Sequence, residues 1–213
     1  MPLTPHPTLE CPLPIRELRV AKKKPTLEDL RPQIRERGKI LTLYTHIYPA
    51  PFGDFYLAVT REGAVAAAGF TPLTFQQDSR YYILERNKYA CGEVCYQLDQ
   101  YFQGSREFFD LELALDRGTT FEHDVWLRLM RIEYGQTMSY SEIAQKVGRK
   151  GAARAVGNAV GKNPLPIFVP CHRVVPATGG LGHYSVQSLE KETGSKIKKY
   201  LLDLESRRTT TLG

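Results

Sequence analysis

The sequence lacks any run of about 18 or more apolar residues, so no segment reads as a membrane-spanning helix. It lacks an N-terminal apolar stretch followed by a small-residue cleavage site, which gives no expectation of a secretory signal. It shows no internal repeat. Cysteine is sparse, with four in 213 residues: Cys11, Cys91, Cys95 and Cys171. Their scatter does not form a disulfide framework, which fits a reducing compartment. Cys91 and Cys95 lie four apart with no His or Cys pair of matching spacing nearby. A fragment of a metal site and two small buried thiols are the open readings of that pair.

Also missing is an excess of charge in the first half of the chain. Residues 1–117 carry 15 basic and 15 acidic side chains, so the net +6 arises wholly in residues 118–213, with 14 against 8. Within 138–174 the count is six basic to one acidic. A field this one-sided suits a polyanionic partner, although solvated charge clusters look similar. At 42% hydrophobic and 24% charged, the composition is that of an ordinary globular protein. The length suffices for one large or two small cores.

Residues 1–37 hold seven of the fourteen prolines and little apolar periodicity, so a poorly ordered or extended leader is expected. Lys22-Lys23-Lys24 suits either nuclear import or a solvated basic run. Short strands are expected over Ile40–Ile47, Phe55–Val59 and Ala64–Phe70, with a turn at Arg61-Glu62-Gly63. A polar segment after Pro72 should lead to a helix over Glu93–Phe102 and then a strand near Phe108–Leu115. Asp116 to Thr120 reads as a boundary, giving units at 38–116 and 118–207. Phe121, Val125 and Leu129 recur every four residues, the mark of an amphipathic helix ending before Gly135.

Ser139-Tyr140-Ser141-Glu142 has the form of a capping box, which predicts a short helix to about Val147. Gly148 ends it, and a second helix should span about Ala152–Val160. Two short helices about a glycine-containing turn suggest a helix-turn-helix. Ala152, Val156, Ala159 and Val160 offer the second helix a buried face. Ala153, Gly157 and Gly161 form a bare stripe with Arg154 beside it. An interior glycine costs a helix about 1 kcal/mol against alanine. A face this bare therefore implies close approach, either of another helix or, given the local charge, of DNA.

Asn163 to Val175 reads NPLPIFVPCHRVV, with Cys171 between Pro170 and His172 in an apolar stretch. A thiolate is the reactive form of cysteine, and the ordinary pKa of about 8.5 leaves little of it at neutral pH. A neighbouring imidazole can take the proton, and that base needs an orienting partner. On the last helix Ile197, Leu201 and Leu204 form an apolar stripe, and Glu205 follows Leu201 by four. A carboxylate on that face wants a partner, unless the helix end is frayed and solvated.

Pro170-Cys171-His172-Arg173-Val174-Val175, with Arg154-Ala155-Val156-Gly157 and Asn163-Pro164 before it, resembles the O6-alkylguanine-DNA alkyltransferases. The resemblance runs from about Phe121 through Glu205, and more loosely over Tyr44–Phe70 and Cys95–Leu115. It implies an α+β protein: an N-terminal α/β domain with a small antiparallel, ribonuclease H-like sheet, then a mostly helical domain with the helix-turn-helix and the cysteine. It implies transfer of an alkyl group from O6-alkylguanine, and less well O4-alkylthymine, in double-stranded DNA to Cys171. His172 would activate Cys171 through a bridging water, Glu205 would orient His172, and Asn163 would hold the turn between helices and site. Tyr140 would help rotate the nucleotide and donate a hydrogen bond to the leaving base, and Arg154 would fill the vacated stack. Ala153 and Gly157 would let the helix lie in the minor groove, and Pro166, Val174, Tyr184 and Ser185 would line the base pocket.

Flipping a base costs a few kcal/mol, which an inserted arginine partly offsets. The thioether is stable, so each molecule should react once. No cofactor and no zinc are expected, and the protein should act as a monomer in a nucleus or, outside eukaryotes, in the cytoplasm. One departure is visible. Tyr184-Ser185 is followed by Val186-Gln187 and about six additional residues through roughly Gly194, where relatives have two glycines and then the last helix. Competing readings are a protein that binds alkylated DNA without repairing it, a sequence-reading regulator, and a cysteine hydrolase that turns over repeatedly. Cys171 speaks against the first. The bare stripe speaks against the second, and the absence of a recognisable oxyanion hole against the third.

Overall fold

A computed structural model describes residues 41–75, 82–115, 117–184, 186 and 189–207. The leader, Lys22-Lys23-Lys24, Cys11, Asp116 and Ser185 lie outside the described residues. The architecture is α+β, with a four-stranded sheet, five α-helices and a two-stranded pair among those residues.

Strands β1 (Leu41–Ala50) and β2 (Gly53–Val59) form an antiparallel hairpin that pairs Tyr48 with Phe55 and Tyr44 with Val59. Strand β3 (Val65–Gly69) pairs antiparallel to β2, with an irregularity at Ala58/Val59. Alternation decides which side chains face the core. Phe55, Leu57 and Val59 point into the main core, whereas Ala58 joins Leu43, Ala66 and Ala67 in a smaller cluster. Helix α1 (Gly92–Phe102) lays Val94, Leu98 and Tyr101 in the main core.

Two expectations for this half need correction. The sheet is mixed rather than antiparallel, because an unforeseen strand β4 (Tyr82–Arg86) adds parallel to β1 in the order β3-β2-β1-β4. Ile83, Leu84, Glu85 and Arg86 are all exposed, so this edge strand has no buried face to create alternation. The strand expected near Phe108–Leu115 is reduced to a single bridge between Val65 and Leu113. At that bridge Val65 N donates to Glu112 O at 2.8 Å and Ala114 N donates to Val65 O at 2.9 Å, whereas at Asp110 the partner is a side chain: Gln97 donates to Asp110 O at 3.0 Å and accepts from Asp110 N at 2.8 Å.

Helix α2 (Thr120–Leu129) starts at a Thr119/Glu122 capping box and ends well before Gly135, with Met130 as its cap. Val125, Trp126 and Leu129 are buried, and Trp126 Nε1 donates to Ala159 O at 2.8 Å. Strand β5 (Met138–Ser139) runs straight into α3 (Tyr140–Lys146), where the Ser139/Glu142 capping box forms as expected. Helix α4 (Ala153–Gly161) follows, and β6 (Val174–Val175) pairs parallel to β5. Helix α5 (Lys191–Ser206) closes the described chain. It begins at Lys191, so part of what reads as an insertion through Gly194 is the first turn of this helix. No described helix is long and apolar enough to cross a membrane.

Candidate active site

The turn that carries Cys171 is built by Asn163, which is fully buried. Its Oδ1 accepts from Leu165 N at 2.9 Å, and its Nδ2 donates to Val169 O at 2.8 Å. The side chain thus replaces backbone partners in a segment whose prolines, Pro164, Pro166 and Pro170, donate none. Ile167 within it has φ 75°, a conformation that strains a β-branched residue by about 1–3 kcal/mol. Cys171 to Arg173 then form a 3-10 turn leading into β6. Because β6 pairs with β5, the N-terminus of α3, and with it Tyr140, is set beside that turn.

Cys171 Sγ is buried and accepts from Asn163 Nδ2 at 2.9 Å. Tyr184 Oη lies 3.4 Å from the sulfur. Burial pushes the Cys171 thiol up, against the opposing pull of Tyr184, Asn163 and the Lys198 cation. The thiol is therefore protonated at rest near neutral pH, and deprotonation has to accompany its chemistry. Burial also raises the phenols of Tyr140 and Tyr184, the latter strongly, so both keep their protons as donors.

His172 is wholly buried, and its Nε2 lies 2.8 Å from Glu205 Oε1. Burial lowers the His172 pKa, although Glu205 pulls the other way, so the ring is neutral. With the carboxylate as acceptor, Nε2 carries the hydrogen and Nδ1 presents its lone pair. Nδ1 is buried and engages no described protein group. Glu205 is 1% exposed, which removes the frayed-end reading. Burial alone would raise its carboxyl, but His172 and Arg173 hold it well below the usual carboxylate range.

Several groups around this centre carry no expectation from sequence. Arg173 Nε and Nη2 fork onto Glu205 Oε2 and Oε1 at 2.8 and 2.9 Å. Tyr101 Oη donates to Glu205 Oε1 at 2.6 Å, and Gly135 N to Oε2 at 3.3 Å. Lys198 is fully buried, donates to Val174 O at 2.5 Å, and is pulled down by burial to about 8. The signal for Lys198 was present: Gly194, Lys198, Leu201 and Glu205 recur at helical spacing on the buried face of α5. Gly194 is needed there, because a Cβ would sit 2.0 Å from Tyr184 O. The Tyr184 backbone thus lies against α5, which holds the phenol over Cys171.

A cleft of about 460 Å³ opens above the sulfur. Ala153, Arg154, Gly157, Asn158 and Gly161 of α4 form one wall, so the bare stripe faces the cleft. Val160 of the same helix, Cys171, and Tyr140, Pro176, Gly182, His183, Tyr184 and Val186 complete the lining. A Cβ on Gly157 would sit 3.8 Å from the Tyr140 ring. Of the residues expected in the pocket, Tyr184 is there, and Pro166 and Val174 are buried outside its lining. No group of three or more metal-ligating side chains occurs among the described residues.

Residues 120–207 match the family described as the DNA-binding domain of 6-O-methylguanine DNA methyltransferase. A methylated-DNA–protein-cysteine methyltransferase of Methanosarcina barkeri is 37% identical over 167 residues, 76% of this chain and 97% of the relative. The chain belongs to the methylated-DNA–protein-cysteine methyltransferase family. A family member from Mycobacterium bovis is 50% identical over 112 residues, 53% of this chain, and the matched stretch spans 63% of that relative's length. Among solved family members, the Mycobacterium tuberculosis protein in complex with DNA superposes with a TM-score of 0.65 at 38% identity, covering 79% of this chain and 94% of that one. An O6-methylguanine-DNA methyltransferase from Pyrococcus kodakaraensis gives 0.54 at 25% identity, covering 76% and 98%.

Proposed function

We propose that this protein repairs DNA by moving the alkyl group of O6-alkylguanine, and less well of O4-alkylthymine, onto Cys171, once and irreversibly. The observation that carries this reading is the position of Cys171 Sγ. It lines a cleft walled by the bare stripe of α4, and the next residue, a neutral His172, is bonded to an ionised Glu205. We read α3 and α4 as a helix-turn-helix that meets duplex DNA through Ala153 and Gly157, and residues 38–116 as a ribonuclease H-like domain preceding a DNA-binding domain at 118–207. The similarity to a family member captured with DNA supports that placement.

In this scheme the damaged nucleotide rotates into the cleft and Arg154 fills its place in the stack. The Cys171 proton passes to His172 Nδ1, the unengaged buried acceptor, through a bridging water. Glu205 stabilises the imidazolium, as a carboxylate orients the base in other relays. The sulfur lone pair forms the S–C bond as the C–O bond breaks, and its electrons pass to the guanine. Tyr140, held protonated, donates to the departing base and damps its charge. Asn163 fixes the sulfur, and Tyr184 with Ser185 borders the base. Pro166 and Val174 act from behind the turn. With genomic DNA as substrate, the protein would work as a monomer in the nucleus of a eukaryote or otherwise in the cytoplasm.

Intact mass after incubation with duplex DNA containing O6-methylguanine tests this directly. A gain of one methyl, mapped to the Cys171 peptide, is expected. An unmodified Cys171 on a protein that still binds the lesion would establish the non-repairing reading instead.

A further inference from the structure

Glu205 Oε1 receives three donors from two parts of the chain. They are His172 Nε2 at 2.8 Å, Arg173 Nη2 at 2.9 Å and Tyr101 Oη at 2.6 Å. The first two belong to the cysteine turn. Tyr101 comes from α1, 104 positions before Glu205. Its ring is fully buried against Phe102, Phe109 and Tyr134 at centroid distances of 5.2–6.0 Å, so the hydroxyl is aimed by packing. Among the described residues, it is the group from before residue 118 that hydrogen-bonds this relay.

We propose that Tyr101 is a positioning residue for the chemistry of Cys171: its hydroxyl holds Glu205 Oε1 and thereby sets the tautomer and basicity of His172. The inference rests on His172 acting as the base for Cys171. A carboxylate oxygen has a limited set of lone-pair directions. Each donor it serves leaves less negative charge for the others. Sharing Oε1 with Tyr101 therefore weakens the pull of Glu205 on an imidazolium. That adds to the burial that keeps His172 neutral, with hydrogen on Nε2 and a lone pair on Nδ1, the form that can accept a proton. The surrounding groups act in the same sense or stay neutral. Arg173 and Lys198 oppose a charge on His172. Tyr184 and Cys171 are held protonated by burial, and Tyr134 lies under the Arg173 guanidinium. Loss of the Tyr101 hydroxyl should return charge density to His172 and make it protonate more readily.

The test is Tyr101→Phe in the full chain, with two readouts. The first is the single-turnover rate of methyl transfer to Cys171 across pH 5–9, alongside DNA affinity. The acid limb of the rate profile should move upward by roughly half a pH unit, about a threefold loss of rate on that limb. DNA affinity should not change. The second is the titration of His172 by NMR in the DNA-free protein, which should move in the same direction. Tyr48→Phe is the control: it removes another buried phenol, bonded to Asp99 at 2.6 Å, without touching the relay. If Tyr101→Phe folds poorly, 3-fluorotyrosine placed at position 101 makes a stronger donor of the same shape, and the His172 titration should then move down. An unmoved His172 titration, or an equal shift in Tyr48→Phe, overturns the proposal. Because the titration needs no DNA, it judges Tyr101 even if Cys171 fails to accept a methyl group, a failure that would sink the functional reading alone.

Discussion

Lys198→Met should leave the fold as stable as before or more so, while slowing alkyl transfer. Lys198 is fully buried, and among the described residues its hydrogen bond is to Val174 O. Its pKa falls from 10.5 to about 8, so keeping it charged at neutral pH costs on the order of 3 kcal/mol. Methionine removes that cost and fills similar volume, but leaves the Val174 carbonyl without its donor, a loss of about 1–3 kcal/mol. The net change should lie between zero and about 2 kcal/mol of stabilisation at pH 7. The sign can be checked against pH. A lysine whose folded pKa is depressed opposes folding below that pKa, and its penalty fades as pH rises toward 10.5. The advantage of the variant should thus be full below pH 8 and shrink between pH 8 and 10.5. The Lys198 cation also favours a thiolate at Cys171, so the rate of transfer should fall about tenfold or more. Urea denaturation at pH 7 and pH 10 and single-turnover kinetics read both effects. A variant destabilised by more than about 2 kcal/mol, or one that transfers at the wild-type rate, would refute this account of the buried ammonium.

Cys171→Ala should abolish transfer and leave DNA affinity near normal, as measured by mass spectrometry and by titration with a labelled duplex; residual transfer would mean that another thiol is the acceptor. Arg154→Ala should slow repair of duplex DNA, and an unchanged rate would remove its stacking role. Glu205→Gln leaves Arg173 buried without its anion and should cost about 3–5 kcal/mol in urea denaturation. Because the folded pKa of Glu205 is lowered, that deficit should be full above the ordinary carboxylate range and should narrow as pH falls through it. A deficit under about 1 kcal/mol at pH 7 would show the pair to be weak.

What the sequence disclosed depended on whether a residue's role was local. The Ser139/Glu142 box and the stripe of α4 are short-range patterns, and both stand in the structure as their spacing required. The cysteine turn was legible for the same reason, since Asn163, Cys171 and His172 lie within ten positions and Asn163 holds the turn and the sulfur of Cys171 directly. Strand β4 was missed because an edge strand exposed on both faces leaves no alternation. The expected strand near Phe108–Leu115 shows the opposite failure. Its apolar residues are real, but pairing with β3 is confined to Val65, and at Asp110 the side chain of Gln97 takes the backbone hydrogen bonds instead.

The relay's remaining members show where such reading stops. Nothing near Tyr101 marks it as anything but a core aromatic on an amphipathic helix, because its partner Glu205 is 104 positions away. Arg173 stood inside the most informative segment and still had no assigned role, since a basic residue after His172 suits solvent or DNA as well as a buried carboxylate. Only the fold shows Glu205 serving five donors among the described residues; the cationic and hydrogen-bonding partners keep the buried carboxylate ionised, and burial keeps the imidazole beside it neutral. Arg173 supplies the counter-charge, Tyr101 and Gly135 take up lone pairs, and the pull left for His172 does not overcome the burial that keeps its ring uncharged. The basicity of the proposed base is therefore set by residues from both halves of the chain, although the motif containing it is confined to one.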